Sequence, residues 1–204
     1  MNHAVRWLFA MLMLASLAGL AACQSSKMVR SDGLDNTPAP GKAMVVFLRP
    51  SSFGGAVQAS VYDTGDLADQ FIGIVSSKTR IAWQADPGDH LFMVIAENAD
   101  FMIAHLEAGK TYYALVRPRM GVWKARFSLL PIHNDHAAKY NLHSEDFREW
   151  IQSTSWVRNT AESEQWFRDH EGAIREKKLD YLRKWNAADP QQHAELTLRA
   201  ADGV

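Results

Sequence analysis

The sequence predicts a mainly β protein with α-helices: an antiparallel β-sandwich-like domain of about eight strands, followed by a helical C-terminal extension. Between residues 43 and 132, apolar and polar residues alternate with the period of two that is typical of strands. Turn-forming residues interrupt this region about every ten residues, as they do in sandwiches and barrels. Beyond residue 132, apolar residues recur every three or four positions, which indicates helices.

Eight segments of the β region have a strand-like composition and are bounded by turn formers. They are 44–49, 57–62, 71–75, 79–84, 90–96, 102–106, 111–117 and 122–130. In the last segment, the residues that alternation assigns to the core are Trp123, Ala125, Phe127 and Leu129. The residues assigned to solvent are Lys124, Arg126 and Ser128. The apolar run 91–95 does not alternate, which indicates a central strand covered on both faces.

The longest predicted helix, 160–188, is amphipathic and spans about seven turns. Its apolar stripe consists of Trp166, Phe167, His170, Ile174, Tyr181, Leu182 and Trp185. We expect this stripe to pack on the outer face of the sheet, and Asn159 with Glu162 to form a capping box. A shorter helix, from residue 144 or 145 to 153, is predicted to bury Phe147, Trp150 and Ile151. A third helix is expected to begin at Pro190 after the N-cap Asp189.

The N-terminal region has the organisation of a secretory signal, with Arg6 before an apolar run. This run, 7–20, is shorter than the ~20 residues that a membrane-spanning helix requires. It closes on a tetrapeptide that resembles a bacterial lipobox, Leu20, Ala21, Ala22 and Cys23. The resemblance implies that residues 1–22 are removed as a signal peptide and that Cys23, the only cysteine, is acylated. The alternatives are a plain secretory signal and an uncleaved anchor.

Location and partners follow from the same region. Gln24, rather than an aspartate, follows the cysteine, and by resemblance to lipoproteins of Gram-negative bacteria this favours the outer membrane, facing the periplasm. Residues 23–42 are polar and lack periodicity, so we expect them to form a flexible tether.

A formal net charge of −1 gives no electrostatic basis for binding nucleic acid. The covalent lipid on Cys23 is the one cofactor that we expect.

Three motifs of the β region resemble a family of small bacterial lipoproteins known as domain of unknown function 2846. The motifs are Val45-Val46-Phe47-Leu48-Arg49-Pro50-Ser51-Ser52-Phe53, Pro87-Gly88-Asp89-His90 and Leu106-Glu107-Ala108-Gly109-Lys110-Thr111-Tyr112-Tyr113. They contain nothing catalytic, and the resemblance covers about 90 of the 204 residues. We therefore expect a non-catalytic binding or assembly module: a β-sandwich-like domain, 43–132, with a helical extension, 133–204, packed on it.

The candidate metal ligands are weak and lie on one loop: His133, Asp135, His136 and His143. Imidazoles and a carboxylate together can hold zinc, so the alternative function is a metal-dependent envelope hydrolase that uses the His133 and His136 loop. A pocket joining these histidines to a carboxylate would favour the enzyme. An exposed aromatic groove along the long helix would favour the module. His170 is expected to be a core histidine rather than a ligand.

Two features suggest partners besides the membrane. A basic hairpin carries Arg117, Arg119, Lys124 and Arg126, which suit the phosphates of an anionic glycolipid. Four tryptophans crowd the helical region, namely Trp150, Trp156, Trp166 and Trp185. Any of them left exposed would suit an envelope protein partner, because tryptophan is enriched in interface hot spots.

Overall fold

The computed structural model describes residues 27–31, 37–55, 57–65, 68–119 and 126–204. These residues form eleven strands, three α-helices and one short 3-10 helix. The strands are β1 (Met28–Arg30), β2 (Ala43–Arg49), β3 (Ala59–Thr64), β4 (Asp69–Val75), β5 (Thr79–Ala85), β6 (Gly88–Ile95), β7 (Ala99–Leu106), β8 (Thr111–Arg119), β9 (Arg126–Ile132), β10 (Ser155–Asn159) and β11 (Thr197–Leu198). The helices are α1 (Glu145–Ser153), α2 (Ala161–Asn186), α3 (Pro190–Glu195) and the 3-10 helix Ala200–Asp202.

The strands form two mixed sheets, whereas we predicted a purely antiparallel arrangement. The first sheet has the order β1-β10-β5-β2-β8-β9, and the second has the order β11-β7-β6-β3-β4. Three pairs are parallel, namely β2 with β8, β10 with β5, and β11 with β7. The predicted number of strands was too low because β1, β10 and β11 have only three, five and two residues. Such short strands carry too little alternation to be recognised.

Strand β1 lies inside the segment that we expected to be a flexible tether. It pairs with β10, so that Met28 lies opposite Asn159 and Arg30 opposite Val157. The Met28 side chain is buried, and the Thr160 hydroxyl donates a hydrogen bond of 2.7 Å to the carbonyl of Lys27. Residues 27–31 are therefore fixed to the domain. Residues 1–26, with the lipobox and Cys23, lie outside the described residues.

The main core lies between the two sheets. Phe47 of β2 and Phe92 of β6 meet edge to face across it, with ring centroids 5.1 Å apart. Strand β6 is the central strand of the second sheet, and Phe92, Met93 and Val94 are fully buried. The prediction that run 91–95 is covered on both faces is therefore confirmed.

Strand β9 confirms the predicted alternation at three positions and contradicts it at one. Phe127 and Leu129 are buried and Arg126 is exposed, as predicted. Ser128, expected in solvent, is only 6% exposed, and it hydrogen-bonds the buried carboxylate of Asp100. The remaining predicted positions, Trp123, Lys124 and Ala125, lie outside the described residues.

Strand β9 is the last strand of the first sheet, and side chains of the second sheet cover its free edge. The Asn98 amide accepts from the Phe127 N–H at 2.7 Å and donates to the Phe127 carbonyl at 2.9 Å. Asp100 accepts from the Leu129 N–H at 3.1 Å. The next outward position of β9 is Pro131, which has no N–H to satisfy.

Helix α2 packs its aromatic stripe on the outer face of the second sheet, as predicted. Phe167 stacks on Phe71 at 5.0 Å, and Trp166 contacts the same ring at 6.1 Å. Further along the helix, Trp185 contacts Phe101 at 5.7 Å. Strands β3 and β6 are thus buried on both faces because sheet one covers one side and α2 the other.

Two predicted details of α2 are wrong. Its N-cap is Thr160, which forms a capping box with Ser163 instead of the expected pair of Asn159 and Glu162. Asn159 instead donates to the carbonyl of Ile72 on β4, at 3.0 Å. His170 is exposed rather than in the core, and its Nδ1–H donates to the Trp166 carbonyl at 2.7 Å.

Helix α1 and the loop before it cover the outer face of the first sheet. Phe147 meets Tyr113 of β8 edge to face at 4.9 Å, and Leu115 lies beneath. Phe147, Trp150 and Ile151 are half-buried, so their predicted burial is only partial. Helix α3 begins at Pro190 with Asp189 as N-cap, as predicted. No helix in the described part of the chain is both long and apolar enough to cross a membrane.

Candidate functional site

A pocket with a volume of about 410 Å³ lies between helix α1 and the C-terminal half of β8. This volume is within the roughly 300–1,000 Å³ of small-molecule sites. Its lining residues are Pro50, Ser51, Lys78, Leu115, Val116, Arg117, Pro118, Lys139, Tyr140, Asp146, Glu149, Trp150 and Ser153. We call it the charged pocket, because five of these side chains are ionic.

The floor of the charged pocket is apolar and rigid. Leu115, Val116 and Pro118 come from β8 and are buried in the sheet. Trp150 of α1 forms the opposite wall, and its ring lies 6.2 Å from that of Tyr140. These surfaces belong to a strand and a helix, so they hold a fixed shape.

Helix α1 presents one face to the pocket. Asp146, Glu149, Trp150 and Ser153 follow the spacing of three, four and seven that places side chains on one side of a helix. The Ser144 hydroxyl starts this helix by accepting from the Phe147 N–H at 3.1 Å. At its other end, Arg80 donates to the carbonyl of Ile151 and, at 3.0 Å, to the Thr154 hydroxyl. The acidic face is therefore fixed relative to β8.

The rim carries charges of both signs that do not pair with each other. Three cations, Lys78, Arg117 and Lys139, surround the pocket together with two carboxylates, Asp146 and Glu149. Within the part of the chain that the structure describes, none of the five forms an ion pair.

Two of the rim cations interact with Tyr140 instead of with a carboxylate. Arg117 donates to the Tyr140 hydroxyl at 2.9 Å, and the Lys139 ammonium lies 5.5 Å from the centre of the same ring. Each therefore keeps donors available for an anion.

Two local irregularities also lie in this pocket. Lys78 has a φ of 60°, the one positive φ at a non-glycine residue in the described chain, and this costs roughly 1–2 kcal/mol. Its backbone is held there because its N–H donates to the Arg49 carbonyl and its carbonyl accepts from Ser155, both at 2.9 Å. The Ser153 hydroxyl is buried and has no hydrogen-bond partner among the described residues. Strained residues and unsatisfied polar groups concentrate at functional sites.

The predicted basic hairpin is divided between two places. Arg117 belongs to the charged pocket, whereas Arg119 and Arg126 lie directly opposite each other farther along β8 and β9. Burial raises the pKa of Asp100, and the nearby positive charge of Arg119 partly opposes this rise. Lys124 lies outside the described residues.

The predicted metal ligands do not meet in one site. His133 contacts the Asp202 carboxylate at 2.9 Å, and Asp135 accepts from the Ala137 N–H at 2.9 Å. His136 and His143 stack on each other at 3.8 Å. In the described residues, no three histidine, cysteine or acidic side chains are arranged to hold a metal ion.

Asp202 explains the structural role of this loop. Burial would raise its pKa, but hydrogen bonds from His133, Arg199 and the Asn134 N–H together hold it well below its usual range. The ionised carboxylate thereby joins the C-terminal segment to the loop. The next residue, Gly203, is packed so closely that an added Cβ would lie 2.6 Å from the Tyr112 ring.

A second pocket of about 260 Å³ runs beside α2, between Trp166, Ile174 and the edge of the second sheet. Its lining is mostly apolar, but it is smaller than an ordinary small-molecule site. The four tryptophans of the helical region are half-buried. Trp156 lies under the Arg80 guanidinium at 4.4 Å. The aromatic stripe is therefore largely used in packing rather than exposed as a groove.

Most of the charged pocket was missed by the sequence analysis, which singled out only Arg117 and Trp150. Its ionic residues lie on four separate segments of the chain, around Lys78, Arg117, Lys139 and helix α1. The one sequence signal was the acidic face of α1, where Asp146 and Glu149 share a side with Trp150.

No protein-family model matches the chain, and no curated protein matches it significantly. The resemblance to domain of unknown function 2846 therefore stays a prediction.

Proposed function

We propose that this is a lipid-anchored protein of the bacterial cell envelope, held in the outer membrane through Cys23, that acts as a non-catalytic binding module. The lipobox-like tetrapeptide supports the anchor, and the charged pocket supports the binding role. In the described chain His133 contacts the Asp202 carboxylate, but no three histidine, cysteine or acidic side chains are arranged to hold the metal ion that the alternative hydrolase would need.

The observation that carries this function is the set of unpaired opposite charges around one apolar floor. Arginine and lysine bind phosphate or carboxylate, whereas Asp146 and Glu149 bind an ammonium group. The ligand class that satisfies both is a compact zwitterion whose apolar part lies against Trp150. Glycerophospholipid headgroups and short peptides both have this chemistry.

Calorimetric titration of the purified mature chain tests the proposal with four probes. Glycerophosphoethanolamine and the dipeptide Ala-Ala are zwitterions with a phosphate and a carboxylate, respectively. Glycerol phosphate carries only the anion and ethanolamine only the cation. We expect saturable binding of at least one zwitterion and much weaker binding of the single-charge probes.

Variants then assign the binding to the charged pocket. Arg117→Ala and Glu149→Gln should each weaken binding of the zwitterion by about tenfold or more, the loss expected for one charged hydrogen bond. Arg148→Ala is the matched control, because Arg148 is exposed on the same helix and does not line the pocket. Equal binding by all three variants, or binding of no zwitterion, would contradict the proposed function.

A further inference from the structure

The proposed lipid anchor at Cys23 lies close in sequence to an ordered edge of the domain. The hydrogen bond from Thr160 and the pairing with β10 fix the chain at Lys27, only four positions after Cys23. Four residues of extended chain span at most about 14 Å. A tether running to residue 42 would have allowed ~25 Å of random-coil reach. The lipid must therefore enter the membrane beside β1.

The β1 and β10 edge also has the surface chemistry of a membrane contact. Lys27, Arg30 and Arg158 bring three positive charges to it, and none of them has an ion pair within the described residues. Val29 lies opposite Arg158 and is one of the large apolar side chains left exposed, at 39%.

Acidic side chains also occur near this edge. Glu162 and Glu164 follow in the first turn of α2, where they interact favourably with the helix N-terminus. Arg30 and Arg158 are exposed to solvent, so they can contact an external anion.

We infer that the β1 and β10 edge is the membrane-facing surface of the protein, in contact with the phosphates of glycerophospholipid headgroups. This inference rests on the proposed acylation of Cys23. A basic patch beside an acyl anchor gives a second attraction to an anionic surface, of about 1 kcal/mol per cation near the membrane. The acyl chains hold the protein, and the edge sets its orientation.

The same geometry places the predicted basic hairpin far from the membrane. Arg119 and Arg126 lie on β8 and β9, at the opposite side of the first sheet from β1. Five strand spacings of ~4.8 Å separate β1 from β9, or ~24 Å across the sheet. This hairpin is thus a matched control for the charges of the β1 and β10 edge.

The experiment uses the full acylated protein in vesicles of phosphatidylcholine and phosphatidylglycerol. Acylation consumes the thiol of Cys23, so one introduced cysteine is the only reactive thiol. A fluorophore is attached to Val29→Cys or, as control, to Phe53→Cys, an exposed position on the loop after β2. Headgroup-nitroxide lipids then quench the label that lies near the membrane.

We expect quenching to be several-fold stronger at position 29 than at position 53. Arg30→Glu combined with Arg158→Glu should reduce it, whereas Arg119→Glu combined with Arg126→Glu should leave it unchanged. All four arginines are exposed, so the fold should tolerate these changes. Equal quenching at positions 29 and 53, or an equal effect of the two charge pairs, overturns the inference.

A separate experiment tests whether Cys23 is acylated. Incorporation of a clickable fatty acid is compared between the wild type and Cys23→Ala. Equal incorporation contradicts the proposed lipoprotein and with it the basis of this inference. Incorporation that depends on Cys23, together with equal quenching of both labels, contradicts the orientation alone.

Discussion

At the scale of single residues, charged side chains inside the fold hold loops in place through hydrogen bonds. Arg49 is fully buried, and its guanidinium donates to the carbonyls of Phe53, Gly54 and Val57. It also lies over the Phe127 ring at 4.7 Å, and burial lowers its pKa to about 10. The Arg-Pro motif at the end of β2 is therefore explained by Arg49, whose side chain holds the following loop in place.

His90 is a half-buried residue whose hydrogen bonds favour its charged form. One ring nitrogen lies 2.8 Å from the Asp63 carboxylate and the other 2.8 Å from the Asp86 carbonyl. Both partners are acceptors, so this geometry favours the doubly protonated, positively charged imidazole. The hydrogen bond with Asp63 accordingly raises the pKa of His90, although burial opposes the rise.

We predict that this histidine makes the protein less stable as the pH rises. The folded pKa is above the unfolded value of ~6.5, so the stabilisation is complete below pH ~6.5 and is lost as the pH rises through the folded pKa. His90→Gln should cost about 2 kcal/mol of unfolding free energy at pH 5.5, the value of a charged hydrogen bond. Urea unfolding from pH 5.5 to 9 measures both proteins, and a pH-independent difference between them would refute the prediction.

At the scale of elements, the alternating segments were the most predictable. Each of the eight predicted segments matches a strand of six or more residues, which is long enough to give a readable pattern. The N-cap of α2 was predicted one residue early because Asn159, a strong cap former, is used to hold β4 instead. His170 was placed in the core because its spacing fits the stripe, but its ring stacks on Trp166 at 4.8 Å and stays exposed.

Helix α2 should stabilise the β-sheets rather than serve only as an interface. Trp166 packs against Phe71, so Trp166→Ala should lower the free energy of unfolding by about 3 kcal/mol, the low end for a large aromatic residue. Leu179→Ala is the control: Leu179 is 56% exposed on the same helix, and its loss should cost less than about 0.5 kcal/mol. Chemical unfolding followed by far-ultraviolet circular dichroism measures both. A Trp166→Ala effect as small as the control would assign the stripe to a partner.

At the scale of the whole molecule, the sequence did not predict that β1 and β11 each join one of the sheets. Strand β1 pairs with β10, and β11 pairs with β7, across separations of more than ninety residues. No local pattern encodes such pairings, since register depends on which edges are left open by the rest of the fold. The charged pocket was hidden for the same reason, because its charges come together only after folding.

Strands from the C-terminal part of the chain, β10 and β11, belong to the two sheets. We therefore predict that residues 43–132 do not fold without residues 133–204. A chain ending at residue 132 lacks β10, which lies between β1 and β5, and lacks α2 over the second sheet. Its exposed apolar face would far exceed what a monomer tolerates. We expect no cooperative thermal transition in this fragment, in contrast to the mature chain. A sharp melting transition of the fragment would show that residues 43–132 are an independent domain.

The covered edge of β9 bears on whether copies of the protein, anchored as proposed, can pair through their strands. Anchored molecules diffuse in two dimensions and meet often, which favours any contact that repeats from copy to copy. An open strand edge is such a contact, because each added copy offers the next one the same edge. Here Asn98 and Asp100 already occupy the outward donors of β9, and Pro131 offers none. For copies held on one membrane, as proposed, the β9 edge is therefore closed to the addition of a strand from a neighbour.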